Sequence, residues 1–289
     1  MARIKLLLLL VLCSPTLVWA QVPFSEEYQF HSYLLREGYA EEGHRVLTQL
    51  LNRPTLSPGQ RDSLHYALGR FHYEQEVLEA SMEHYGKVSA TYPALWREAT
   101  FFGAFGLAYR QQPEAGRQLL TSATFTDSLY LELSSFQQAG MALLTRDYEG
   151  YTQHAKSFTG TYFAFAQEEQ NLAEWSYDLQ AFRPKQPWVA GTLSALVPGL
   201  GRVYAGKWGQ GLISFAQIAL MGLGAWDGYR QGGVTDWRFI TYSAVGGALY
   251  LSNIVGSAHA AQLHNQEFYE AVDYRVRVDM HVPLRTLFR

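Results

Sequence analysis

The chain has 289 residues, 48% of them hydrophobic and 17% charged, with a formal net charge of −3. The even charge balance argues against a general nucleic-acid binder, the apolar share argues against disorder, and a single cysteine cannot form an intrachain disulfide or a thiolate metal cluster. A mean hydropathy of −0.14 points away from a membrane protein, but it averages regions that differ sharply.

Residues 1–20 read as a secretory leader. Arg3 and Lys5 precede the apolar run Leu6 to Leu12, and Val18-Trp19-Ala20 supplies a cleavage site, so the sequence predicts removal after Ala20. The run is too short to span a bilayer comfortably as an uncleaved anchor. Leu12, standing before Cys13 where a lipoprotein signal needs a small residue, argues against lipidation.

Residues 21–182 read as a helical domain. The pair Leu68-Gly69 recurs as Phe102-Gly103, 34 residues later. Leu64, Ala67, Leu68 and Phe71 follow i, i+3, i+4, i+7, as do Phe102, Phe105, Gly106 and Tyr109, and Pro113 suits the first turn of a following helix. Leu68, Gly69, Leu78, Tyr85, Val88 and Pro93, with Ser81 at a small-residue position, resemble one tetratricopeptide repeat; Phe102, Gly103, Ala115 and Leu119 resemble a second. Tyr33–Leu51 and Leu129–Phe158 read as degenerate units, and Leu172, Trp175, Leu179 and Phe182 mark a last helix. The resemblance implies stacked antiparallel helix pairs with a surface that takes a protein or peptide partner. Tyr66, Arg70, Tyr73, Arg97 and Arg110 are the candidates for that surface.

Arg183–Pro187 reads as a linker, after which composition changes. Residues 188–261 hold 14 of the 25 glycines and six charged residues. Gly209–Trp226 and Trp237–Ala261 are long enough to cross a hydrocarbon core of roughly 30 Å, whereas Trp188–Leu200 reaches only about 20 Å before Pro198-Gly199. That third segment is either a short tilted span or a re-entrant piece. Pro198, Gly199, Gly201, Tyr204 and Gly206, followed by Gly211-Leu212-Ile213 and Trp226-Asp227, resemble the two-transmembrane-helix domain family. The fit is nearer to its bacterial Pro-Gly-x-Gly-x-x-Tyr-x-Gly relatives. Val203 replaces the aromatic residue expected before Tyr204. The resemblance implies a compact membrane hairpin and no chemistry. Gly201 to Lys207 also matches a phosphate-binding loop up to Trp208, which stands where a magnesium-binding Ser or Thr belongs; no strand precedes it.

With secretion of the helical domain, three crossings put Arg202 and Lys207, and the tail arginines, on the inner side. This suits the positive-inside tendency, so charge favours three crossings over two. Arg202 and Lys207 are expected to face headgroups and Tyr204 to mark the boundary. Gly224 with Gly228, Ser243 with Gly247 and Ser252 with Gly256 form small-residue stripes for close helix packing. Gln217 and Asn253, at similar depth, are expected to bond to each other or to backbone.

In residues 262–289, Tyr274, Val276, Val278, Met280 and Val282 alternate with polar side chains. This alternation predicts a strand over 274–282 whose open edge, like the small-residue stripes, offers a route to an oligomer. No His-Glu-x-x-His pair or other catalytic spacing occurs, so the sequence suggests neither an enzyme nor a cofactor or metal site. The reading is an all-α chain, a tetratricopeptide-like solenoid followed by a small transmembrane helical domain. It would serve as a scaffold on the bacterial inner membrane with the repeats in the periplasm. The rival reading makes the Gly-rich domain a working unit that assists membrane insertion or transport.

Overall fold

The computed structural model describes residues 23–288; the expected leader, with Cys13, lies outside the described residues. Among them all regular structure is helical. The order is α1 (Phe24–Arg36), α2 (Ala40–Leu51), α3 (Pro58–Glu74), α4 (Leu78–Tyr85), α5 (Pro93–Tyr109), α6 (Pro113–Ser122), α7 (Ser128–Leu144), α8 (Tyr148–Ala155), α9 (Ala166–Ala181), α10 (Pro187–Leu196), α11 (Leu200–Tyr204), α12 (Trp208–Gly232) and α13 (Trp237–Leu287). Two compact units divide between Gly106 and Leu107, inside α5.

One turn recurs between paired helices. Gly38, Glu76, Gln111 and Arg146 all have φ between 60° and 85°, at intervals of 38, 35 and 35 residues. The residue after each donates its N–H to a carbonyl five residues back: Tyr39 to Leu34, Val77 to His72, Gln112 to Leu107 and Asp147 to Ala142, at 2.8–2.9 Å. This is the Schellman arrangement, which satisfies two helix-end carbonyls and reverses the chain. Three of the four left-handed positions are not glycine, so each costs about 1 kcal/mol that the captured carbonyls must offset. Start signals are equally local. Ser57 and Gln60 form a reciprocal capping box at α3, Asp127 and Asp147 cap α7 and α8, and Pro113 occupies the first turn of α6 as expected.

In the first unit, α3 and α4 meet at small residues: a Cβ on Gly69 would lie 2.7 Å from the Tyr85 ring, and Ser81 Oγ donates to the Gly69 carbonyl at 2.8 Å. Leu47, Leu50, Leu64, Ala67 and Leu68 form the core between α2 and α3.

The second unit contains the largest departure from the sequence reading. Residues 274–282 are not a strand but part of α13, which runs unbroken for 51 residues. Val276, Met280 and Leu284 are fully buried, as are Leu133, Phe136, Met141 and Leu172. Gln137 Nε2 donates to the Met280 carbonyl at 2.6 Å, close to Pro283, whose missing N–H loosens the helical ladder. The Asp279 carboxylate accepts Trp175 Nε1–H at 2.7 Å and Asn171 Nδ2–H at 3.0 Å. Gly140 leaves room for Met280: a Cβ there would stand 2.6 Å from its side chain. The tail is thus a packing element on α7 and α9 with no open edge.

Arg183–Pro187 is likewise tied down. Asn265 Oδ1 accepts the Lys185 N–H at 2.7 Å and its Nδ2 donates to the Lys185 carbonyl at 2.8 Å, while Phe182 stacks on Phe268 with ring centroids 3.8 Å apart.

Candidate functional site

The Pro-Gly motif builds a half-depth helical return. Pro187 opens α10, whose ten residues advance about 15 Å before Val197 leaves the helix and Pro198-Gly199 turns the chain. Gly199 has φ +86°, and a Cβ on it would lie 2.0 Å from the Gly211 carbonyl oxygen. A Cβ on Gly201 would lie 1.8 Å from the Ala190 carbonyl oxygen, and one on Gly211 2.7 Å from that of Gly199. Backbone obstructs each of these, so no side chain can be accommodated by a rotamer change. Ser194 Oγ accepts the Gly201 N–H at 3.0 Å and shares a hydrogen bond with Ser257 Oγ at 2.7 Å, which satisfies the polar groups at the crossing of α10, α11 and α13.

The return ends at the level where it began. The Tyr204 hydroxyl oxygen accepts the Gln186 N–H at 3.1 Å, and Lys185 Nζ lies 5.0 Å from the Tyr204 ring centroid. Gly206, at φ +82°, then repeats the Schellman turn, with Lys207 N–H donated to the Arg202 carbonyl at 2.8 Å. Lys207 Nζ pairs with Glu267 at 3.2 Å. From there α12 runs out and α13 runs back. Gly224 fits against Tyr242 and Gly228 against the Phe239 backbone, and Gly246 seats Met221. Asp236 caps α13 and holds Arg238 at 3.2 Å. Trp237–Leu287 is, among the described residues, the helix long and apolar enough to cross a membrane by length and composition.

No protein-family model, curated protein or solved structure matches this chain.

The expected motif residues Pro198, Gly199, Gly201, Tyr204 and Gly206 therefore gather in one return, while Asp227 lies at the far end of α12, bonded to Gln231 at 2.8 Å. Gly224 meets Tyr242 and Gly228 the Phe239 backbone of α13, Gly256 faces the Arg202 guanidinium, and Ser243, Gly247 and Ser252 face outward. Gln217 is exposed and Asn253 is 3% exposed with neither amide atom hydrogen-bonded, so the expected pairing is not made. Gln217 shares the α12 stripe of Met221, Gly224 and Gly228 that meets α13, yet its side chain stays exposed. Arg202 turns toward Gly256, and Lys207 is engaged by Glu267.

Of the expected partner surface, Tyr66, Arg70, Tyr73 and Arg97 belong to the first unit and Arg110 to the second. Tyr66 is 9% exposed and its hydroxyl donates to Glu98, so it serves the fold. Burial and that carboxylate push its pKa up. Arg70 pairs with Glu74 at 3.2 Å, and Tyr73 sets its edge on Phe102 at 4.9 Å.

Residues with no sequence signal carry much of the geometry. Ser194, Ser257 and Asn265 acquire partners 63 to 80 residues away. Two titratable clusters also form. His65 and His84 approach Nδ1 to Nδ1 at 3.1 Å, and His84 stacks on His72, which meets His44. Burial first, then His65 and His72, hold His84 down at about 4. Glu132 and Glu169 converge on one turn: Glu132 accepts Thr159 N–H at 2.8 Å and Glu169 accepts Gly160 N–H at 3.0 Å. Burial and the Glu132 carboxylate push Glu169 up to about 7. Among the described residues no three His, Cys, Asp or Glu side chains are grouped to hold a metal ion.

Proposed function

We propose that the chain is a membrane-held adaptor. In this reading α10–α13 embed in the bilayer and the helical hairpins of residues 24–182, tetratricopeptide-like in their recurring turn, take a protein partner. The observation that carries it is the apolar surface of α12 and the first half of α13. Leu212, Ile213, Leu220, Leu223, Leu251 and Val255 are 56–70% exposed, an area that a chain in water keeps covered. Trp208 and Trp226 sit near the two ends of α12, and Trp237 opens α13, as aromatic residues do at membrane boundaries. At 25 residues, α12 is about 37 Å long, enough to cross with tilt.

The reading has two crossings and a re-entrant hairpin, with the helical hairpins and the tail on one side. The leader supports the periplasm of a bacterial cell as that side, and the inner membrane as the anchor. Reporters fused after Arg289 and inserted at Gly233–Thr235 test it. They should report opposite sides, with the tail reporter extracytoplasmic, and the full chain should stay in the membrane fraction at alkaline pH. A chain released at alkaline pH, or a cytoplasmic tail, overturns the topology. Photo-crosslinkers at Arg70 and Arg97 should capture a reproducible protein partner. Crosslinks confined to α10–α11 would instead make the membrane part the working unit.

A further inference from the structure

We propose that the notch between α11 and α13 binds the phosphate of an anionic membrane lipid, with the Arg202 guanidinium as its main contact and the Asn253 amide as a second. The proposal rests on the membrane reading of α10–α13 given above.

The guanidinium of Arg202 lies against α13 at Gly256, where a Cβ would stand 3.0 Å from Nη2, so glycine leaves the seat open. Its Nε is buried without a hydrogen-bond partner, and among the described residues Arg202 forms no ion pair. Asn253, three residues before Gly256 and four before Ser257, shares their stripe on α13 and keeps both amide atoms buried and unbonded. The neighbouring polar groups are already used: Ser194, Ser257 and the Gly201 N–H bond to one another. Two unsatisfied donors therefore remain in this one stretch, one of them charged.

Depth decides what can satisfy them. Gly256 is nine residues from Asn265, which clasps the Lys185 backbone where α10 begins, so Arg202 reaches about 13 Å along α13 from that level. A bare guanidinium there costs several kcal/mol unless an anion accompanies it. A lipid phosphate arrives with its own acyl chains, and exposed Leu196, Leu200, Val203, Leu251 and Val255 supply apolar surface beside the notch. Inorganic phosphate has no apolar part to match that surface.

Full-length protein reconstituted in phosphatidylcholine bilayers containing brominated phosphatidylglycerol, or brominated phosphatidylcholine as control, reads occupancy through quenching of tryptophan fluorescence. Wild type should retain phosphatidylglycerol over phosphatidylcholine by about tenfold, as a charge-assisted contact allows. Arg202→Gln should abolish that preference, Arg202→Lys should keep part of it, and Arg230→Gln, at the far end of α12, should leave it intact. Equal retention of both lipids by wild type overturns the proposal. Displacement of phosphatidylglycerol by inorganic phosphate also overturns it, making the site a free-phosphate one. Co-flotation with phosphatidylcholine vesicles is scored first, so a chain that does not embed counts against the membrane reading and is distinguishable from an embedded chain with no lipid preference.

Discussion

Arg146 grips Asp273 with two bonds, Nη1 to Oδ1 at 2.7 Å and Nη2 to Oδ2 at 3.1 Å, across 127 residues of chain. The same guanidinium caps the Leu143 carbonyl at 2.8 Å and lies 4.9 Å from the Tyr269 ring centroid. The left-handed residue of one hairpin turn is thus also the fastening of α13. Both side chains are only about a quarter exposed, so screening is incomplete. A double-mutant cycle with Arg146→Ala and Asp273→Ala should give a coupling of about 1–2 kcal/mol, measured by denaturant unfolding of the full chain. A coupling near zero would reduce the pair to a surface contact.

Gly201→Ala meets the Ala190 carbonyl backbone, which has no rotamer by which to yield. The return of α10 and α11 should open, and the Ser194–Ser257 bond should part. Cysteines at 194 and 257 report this directly, because oxidation should join them efficiently in an otherwise unaltered chain and poorly with alanine at 201. Gly209→Ala, where nothing lies within 4 Å of an added Cβ, is the matched control and should cross-link normally.

The histidine cluster makes the first unit acid-sensitive. His84 resists protonation down to about 4, whereas an unfolded chain protonates it near 6.5. The unfolded state therefore binds the proton first, and stability present above about 6.5 drains away as pH falls toward 4. Lys87, Arg61 and the other imidazoles act in this direction on the cluster, while Asp62 and Glu83 oppose them. Hydrogen exchange of α3 and α4 amides, corrected for intrinsic rate, should lose about tenfold in protection between pH 7 and pH 5. His84→Phe should flatten that dependence.

Glu169 behaves in the opposite sense. Its carboxyl holds a proton to about 7 in the folded chain and to about 4.5 in the unfolded one, so the folded state binds more protons between those values. Stability contributed by this group falls as pH rises through that window. Glu169→Gln keeps an acceptor for the Gly160 N–H and removes the charge. It should be more stable than the unaltered chain by about 1–2 kcal/mol at pH 8 and nearly equal to it at pH 4. Thermal unfolding at both pH values checks the crossing; a deficit at pH 8 would contradict it.

The sequence was most legible where structure is local. The paired helices followed from the 3.6-residue spacing around Leu68 and Phe102, and the close contact at Gly69 and Ser81 from their small size. The Pro-Gly turn was visible because only glycine tolerates the conformation at residue 199. The tail was misread because Val276, Val278, Met280 and Val282 alternate over a short window. Val272, Val276, Met280 and Leu284, four residues apart, carried the competing helical signal, and burial against α7 and α9 decides between them. Gln217 and Asn253 share a depth but do not pair: Asn253 is buried and Gln217 exposed, a difference that spacing along the two helices does not show. Asn265 and Lys185 lie 80 residues apart and gave no local sign of their contact.

The 51 residues of α13 make a rod about 77 Å long, and its one proline stands near the docked end. Between Trp237 and that proline the helix holds no other proline. Arg146 and Trp175 fasten its far end, so a tilt of the apolar end reaches α7 and α9, as in a lever, through those two contacts.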